Sequence, residues 1–190
     1  MIHSSGATGK TEDSASSENA PVNDPMTGEN GIDFPIIELL FFAYRDFTSD
    51  PDQILAQYGF GRAHHRVVHF VNRMPGLTVA ELLDVLQITK QSLARVLKQL
   101  LDTGHIVQVQ GRQDRRQRKL YPTPKGRALS LALAAPQSRR IAKALRDVEQ
   151  GDRQAIERFL RGMVNPELRA QIDKLPHGNR AKDNGDYRDG

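Results

Sequence analysis

Lys90, Gln91, Arg95 and Lys98 share one short segment with Leu93, Val96, Leu97, Leu100 and Leu101, which recur at i, i+3, i+4, i+7 and i+8. That spacing predicts a helix with one buried stripe. At about 100° per residue, Gln91, Arg95, Lys98 and Asp102 lie on the opposite side, with Lys90 nearby. Glutamine pairs bidentately with adenine, and arginine or lysine with guanine, so this side carries the chemistry of base-edge reading in a major groove. Thr89 precedes the helix as a cap, and with Ser92 it completes the candidate set. Asp102 would repel phosphate, so the helix is expected to approach with its first two turns: Lys90, Gln91 and Arg95 on bases, Lys98 on phosphate. Its N-terminal amides can also accept a phosphate.

A second cluster follows directly. Residues 111–127 hold Arg112, Arg115, Arg116, Arg118, Lys119, Lys125 and Arg127 against Asp114, a net of +6. A basic patch this dense is the electrostatic footprint of a polyanion-binding surface, although basic runs also occur as solvated loops. Arginines on such a tip can lie along a narrow minor groove and supply affinity that tolerates sequence change. Asp114 is odd in that setting, and an ion pair orienting Arg112 or Arg116 accounts for it.

Other residue types carry less. His64, His65 and His69 invite a metal, with His65 and His69 one helical turn apart. No carboxylate sits at i±3 or i±4 of either, and the chain has no cysteine; structural zinc takes four ligands. No metal or other cofactor is therefore expected. His65, His69 and Arg73 remain candidates for a ligand pocket, with polar packing as the plain alternative. No phosphate-binding loop, HExxH, G-x-S-x-G or dinucleotide-binding glycine pattern is present, so no enzyme is expected. Arg139, Arg140, Lys143 and Arg146 make a basic helical patch that suits solubility or flanking phosphates.

The elements that must position these residues are mostly helical. Asp33 can cap a helix carrying Ile36, Ile37, Leu39, Leu40, Phe41, Phe42 and Tyr44. That helix is apolar nearly all round and needs cover on every side, for which a second copy of the chain is the simplest source. Ser49-Asp50-Pro51 is expected to break it, leaving a short helix over Ile54–Phe60. Another helix spans about Arg62–Asn72 with Val67, Val68 and Val71 inward, and Pro75-Gly76 ends it. Thr78 with Glu81 makes a capping box for a helix burying Leu82, Leu83, Val85 and Leu86. Ile88 and Leu93 bracket the next N-terminus as a hydrophobic staple, and Gly104 ends that helix. His105–Gln110 and Arg118–Tyr121 read as two strands joined by a polar tip over Gly111–Gln117. Thr123-Pro124 opens a long helical stretch through about Val148, which Pro136 should kink or split near Ala135. Gly151-Asp152 starts a last helix with Ile156, Phe159, Leu160 and Met163 on one stripe, limited by Pro166.

Two capped helices joined by a tight turn, then a basic two-stranded hairpin, constitute a winged helix-turn-helix. The fold class expected is mainly α (α+β), this unit flanked by N- and C-terminal dimerisation helices. The ranges expected are an acidic, polar, disordered tail over 1–31, N-terminal dimerisation helices over 32–60, the DNA-binding region over 61–122, C-terminal dimerisation helices over 123–165 and a mostly disordered tail over 166–190. Length agrees with one domain plus tails: 190 residues, 38% hydrophobic and 26% charged. Residues 1–33 set six acids against Lys10, a net of −5, so the overall +4 leaves +9 on the remainder. The longest apolar stretch, Phe34 to Ala43, is too short to span a bilayer, and no secretory signal is evident. A cytoplasmic protein with no membrane partner is the expectation.

The run Leu77-Thr-Val-Ala-Glu-Leu-Leu, Ile88-Thr-Lys-Gln-Ser-Leu-Ala-Arg-Val-Leu-Lys-Gln-Leu, Gly104-His-Ile, Asp114-Arg-Arg-Gln-Arg-Lys-Leu and Thr123-Pro-Lys-Gly resembles the MarR family of bacterial transcriptional regulators. The similarity covers about residues 34–164, and the acid–double-arginine wing followed by T-x-K-G is its most specific part. The resemblance implies a homodimer on a pseudo-palindromic operator in double-stranded DNA, in the manner of a ligand-responsive repressor. It implies a small effector, often anionic and aromatic, between the dimerisation helices and the DNA-reading unit. It also implies that Arg116 is the wing arginine, oriented by Asp114. Two other readings of the residues stand beside it: a winged helix that docks a protein, and a metal-responsive regulator using His64, His65 and His69. Pro136 departs from the unbroken helix of the family.

Overall fold

The computed structural model describes residues 26–28, 31–110, 117–149 and 152–176. The chain divides into two compact units, residues 1–39 and 40–190. In the first, the Asp33 carboxylate accepts a hydrogen bond from the Ile36 amide at 3.1 Å, the expected cap of helix α1 (Phe34–Ala56). Residues 34–39 of α1 belong to that first unit, and the elements that follow belong to the second.

Helix α1 does not break at Ser49-Asp50-Pro51; it runs through Pro51 to Ala56. A proline inside a helix leaves the carbonyl four residues back without its donor. Here that carbonyl belongs to Phe47, and the Gln137 side-chain amide donates to it at 3.2 Å. Thr48 and Ser49 turn their hydroxyls onto the carbonyls of Tyr44 and Asp46, both at 2.9 Å, and so stay in the helix. The helix expected over Ile54–Phe60 is the last turn of α1 followed by a left-handed Gly59 (φ +66°) that folds Phe60 back onto the Leu55 carbonyl.

Helix α2 (Arg62–Arg73) drives Val67, Val68 and Val71 into the core. Strand β1 (Leu77–Thr78) leads into α3 (Val79–Leu86) and α4 (Lys90–Asp102), then β2 (Ile106–Gln110) and β3 (Arg118–Pro122). The sheet has three strands in the order β1-β3-β2, all antiparallel, with Leu120 opposite both Leu77 and Gln108. The expected hairpin is present, and β1 adds a third strand. Two residues are too few to show a period of two, and the pairing depends on Gly76 (φ +95°), whose amide donates to the Leu120 carbonyl at 2.8 Å. Leu82, Leu86, Leu93, Leu100, Ile106 and Leu120 close one core around the valines of α2.

Helix α5 (Pro124–Ala144) places Leu129 and Leu133 in that core and continues past Pro136 without the split that was one of the two outcomes expected there, a kink being the other. Ala132, four residues before the proline, is exposed, so its carbonyl loses an N–H where water can replace it. A 3-10 turn over Leu145–Asp147 ends the stretch short of Val148. Helix α6 (Asp152–Gly162) carries Ile156, Phe159 and Leu160 of the expected stripe, Met163 following its last residue, and Phe159, Leu160 and Met163 are about half exposed. Pro166 is the first residue of a further helix, α7 (Pro166–Asp173), and not the start of a tail. Arg169 of α7 holds the end of α6, donating to the Gly162 and Val164 carbonyls at 2.9 Å each. Proline at the first turn of a helix loses nothing, since that amide has no intrahelical partner. The remaining tail positions, 1–25, 29–30 and 177–190, lie outside the described residues.

Candidate nucleic-acid interface

The unit begins at Thr78. Its hydroxyl accepts the Glu81 amide at 3.2 Å, and the Glu81 carboxylate accepts both the amide and the hydroxyl of Thr78 at 2.8 Å. Those bonds stabilise the charged carboxylate and hold its pKa below the usual range. The far end of α3 is closed by Gln87 in left-handed conformation (φ +51°), a cost of about 1–2 kcal/mol for a residue with a Cβ. Two bonds hold it there. The Gln87 side chain donates to the Asp84 carbonyl at 2.6 Å, and Arg66 reaches from α2 to the Leu86 carbonyl at 2.5 Å. Nothing in the local sequence marks Arg66 for this role.

Helix α4 is then pinned at both ends. Thr89 accepts the Ser92 amide at 3.2 Å and donates to the Ser92 hydroxyl at 2.9 Å. Ile88 is partly buried against the core to which the fully buried Leu93 belongs. Leu93, Val96, Leu97 and Leu100 are buried, while Lys90, Gln91, Arg95, Lys98 and Asp102 are exposed on the other side. Lys98 meets Asp102 at 2.5 Å. Both are well exposed, and such a pair contributes about 0–1 kcal/mol, little resistance to exchange for a phosphate.

At the C-terminal end, the Thr103 hydroxyl donates to the Gln99 carbonyl at 2.7 Å, and His64 of α2 bonds the Gln99 side chain at 2.8 Å. The other ring nitrogen of His64 accepts the Gly61 amide, and its ring stacks on Phe60 at 4.7 Å. His64 is thus a structural side chain. His65 and His69 are partly buried on α2, and that burial lowers the pKa of each; for His69, neighbouring His65 and Arg73 add to it. Arg73 donates to the Pro176 carbonyl beyond α7. None of the described cavities is lined by His65, His69 or Arg73. Among the described residues no group of three or more His, Asp or Glu could hold a metal ion, and no helix is long and apolar enough to cross a membrane.

Thr123-Pro124-Lys125-Gly126 acts as a latch between α4 and α5. Thr123 caps α5 by accepting the Gly126 amide at 3.0 Å and donates to the Gly104 carbonyl at 2.7 Å; its own amide reaches the His105 carbonyl at 3.2 Å. Lys125 donates to the Thr103 carbonyl at 2.9 Å, at the negative end of the α4 dipole. Gly126 packs so closely that a Cβ there would sit 1.9 Å from the His105 carbonyl oxygen. His105 itself is buried, edge-on to Tyr58 and Phe60, with Nδ1 on the Thr103 hydroxyl at 2.9 Å. Burial, and secondarily Lys125, lowers its pKa. Sequence reasoning missed Arg66, His105 and the purpose of Lys125 and Gly126.

Strands β2 and β3 pair as the expected hairpin requires, with Val107, Val109 and Arg118 exposed on them. Arg112, Asp114, Arg115 and Arg116 lie outside the described residues.

Known proteins are similar to this chain in sequence or fold. The MarR family profile matches residues 58–117. The HTH-type transcriptional regulator PetP of Rhodobacter capsulatus is 46% identical over 139 residues, covering 73% of this chain and 84% of that protein. The MarR protein of Peptoclostridium difficile superposes with a TM-score of 0.61 at 18% identity, covering 75% of this chain and 92% of the other. Streptococcus pneumoniae FabT, solved in complex with DNA, gives 0.59 at 19%, covering 67% and 92%. On the extent and identity of the match to PetP, with the winged helix-turn-helix built as above, the chain belongs to the MarR family, regulators of transcription and not enzymes.

Proposed function

We propose that the chain is a homodimer that binds a pseudo-palindromic operator in double-stranded DNA and represses transcription in response to a small ligand. One observation carries the DNA-reading part: Lys90, Gln91 and Arg95 stand exposed on the first two turns of a helix fixed at both ends. A reader must hold such side chains rigidly to discriminate hydrogen-bonding patterns, and α4 is held by α2, α3 and α5 together. Thr89 and Ser92 form its cap, with the N-terminal amides directed at a phosphate. Lys98 exchanges Asp102 for the backbone, while Arg112, Arg115, Arg116 and Arg118, with Asp114 orienting Arg116, serve the minor groove. FabT, whose fold is similar, was solved with DNA.

Dimerisation is supported by the apolar side chains that α1 and α6 leave in water. On α1, Leu39, Phe41 and Tyr44 are more than 60% exposed, a composition that soluble monomers rarely present. For the ligand, His65, His69 and Arg73 lie along α2; burial holds both imidazoles below the ordinary pKa, and an anion seated beside them would raise those values and favour the protonated rings.

Anisotropy titration of duplexes tests the reading. Gln91→Ala or Arg95→Ala should relax preference at one base pair by about 1–3 kcal/mol. Arg116→Ala should weaken binding to all sequences and lower the salt slope by about 1. Selected sites should show half-sites about 10 bp apart, centre to centre. A chain that docks only proteins would be indifferent to competing duplex, and that result would end the proposal.

A further inference from the structure

The last turn of a helix leaves carbonyls without partners inside the helix. In α3, the Leu83 carbonyl accepts the Gln87 amide at 2.9 Å, and the Asp84 carbonyl accepts the Gln87 side chain at 2.6 Å. Both bonds stay within the turn. The carbonyl of the buried Leu86 is served from outside, by Arg66 twenty positions earlier on α2, at 2.5 Å. A guanidinium there also opposes the negative end of the α3 dipole. Two residues away on α2, His64 bonds the Gln99 side chain of α4 at 2.8 Å. One helix, fixed in the core by Val67, Val68 and Val71, thus holds α4 at the turn that launches it and again near its far end.

Two such contacts set a direction. With Gln99 as pivot, Gln91 stands eight residues off, about 12 Å at 1.5 Å per residue. A tilt of about 5° then carries Gln91 by about 1 Å, beyond the window of about 0.5 Å in which N–H···O distances fall. Gln87 is a poor guard against that tilt, because its own left-handed backbone (φ +51°) is already costly. We infer that Arg66 is a positioning residue for base reading: its bond to the Leu86 carbonyl sets the angle at which α4 leaves the turn, and so governs discrimination between sequences without contact to DNA. This rests on the proposal that Gln91 and Arg95 read bases. Arg66 is itself exposed, so its loss removes the bond and leaves the core intact.

Anisotropy titration of the full chain on three duplexes, over a range of salt, tests it. The duplexes are a selected site, the same site changed at the base pair that Gln91→Ala identifies, and an unrelated sequence. Arg66→Met keeps the apolar stem and deletes the donor. Preference for the selected site over its changed form should fall about tenfold, inside the range that one bidentate base contact is worth. Affinity for the unrelated duplex and the salt slope should match wild type, because the phosphate contacts are untouched. Should Arg66→Met melt below the assay temperature, Gln87→Gly added to it relieves the left-handed residue, and the same preference is read in the double variant. An unchanged preference in a folded variant overturns the inference, whether or not overall affinity falls. A salt slope lowered by about 1 overturns it too, since Arg66 would then be a phosphate contact. If Gln91→Ala relaxes the preference and Arg66→Met does not, the role of Arg66 alone falls; if Gln91→Ala has no effect, base reading by α4 falls and Arg66 with it.

Discussion

Gly126→Ala sets two effects of opposite sign against each other. Alanine in place of a helical glycine favours the helix by up to about 1 kcal/mol, and propensity alone predicts a stabler protein. Packing predicts the reverse. The added Cβ would stand 1.9 Å from the His105 carbonyl oxygen, 2.9 Å from its carbon and 3.4 Å from its Cα. All three are main-chain atoms at the start of β2, so no side chain can swing aside. Relief needs α5 to retreat by more than an ångström, which stretches Thr123 N–H to His105, Thr123 hydroxyl to Gly104 and Lys125 to Thr103 beyond bonding distance. Each such bond is worth about 0.5–1.5 kcal/mol, and overpacking strain adds about 1–3 kcal/mol. After the propensity gain, the expected loss is about 2–5 kcal/mol, or roughly 5–15 °C in Tm for a domain of this size. Urea unfolding followed by far-ultraviolet circular dichroism, with the slope checked for two-state behaviour, measures it. A variant as stable as wild type, or stabler, would show that α5 and β2 are not held at this distance and that the latch is incidental.

Two further outcomes follow from the same geometry. Phe41 and Phe42 are 71% and 56% exposed on α1, and Phe41→Asp with Phe42→Asp should convert a dimer to a monomer in light scattering; a dimer surviving both charges would place the interface elsewhere. His65, His69 and His105 each have a folded-state pKa below the ordinary value of 6.5 because burial disfavours the imidazolium. The unfolded chain therefore binds more protons near and below that pH. Stability is complete above about pH 6.5 and is lost as pH falls through the folded values. Melting temperature should drop between pH 7.5 and 5.5, and His69→Gln should flatten the drop; an equal slope in that variant would remove His69 from the acid response.

The legible parts of the fold were those specified within a few residues. The Thr78–Glu81 box, the Thr89 and Thr123 caps and the 93/96/97/100 stripe are local chemistry, and each stands where its spacing puts it. Pro51 was read as a break because its compensation is distant in sequence, and at Pro136 the helix is not split. Pro51 is tolerated through Gln137, eighty-six positions on, and Pro136 lies within a helix already anchored by Leu129 and Leu133. Strand β1 was missed because its two residues are specified by a glycine turn and by β3, not by a pattern of their own. Helix α7 was missed because Pro166 was read as a terminator, although proline stops a helix before itself and starts one at itself with equal ease.

The candidate site shows a subtler limit, in how charge was counted. Lys125 belongs to the basic stretch that marked the wing, yet its ammonium is committed to the Thr103 carbonyl at the end of α4. Lys98 likewise meets Asp102 before any phosphate arrives. Net charge along a segment sums groups that hold the fold and groups that face a ligand, and only coordinates separate them. The T-x-K-G run therefore marks the joint that fixes α4 to α5, where lysine opposes the helix dipole and glycine permits the approach. If Gln91 and Arg95 read bases as proposed, the motif would contribute to sequence discrimination without touching a base: a helix free to tilt about its C-terminal end could not hold them to the fraction of an ångström that hydrogen-bond geometry demands.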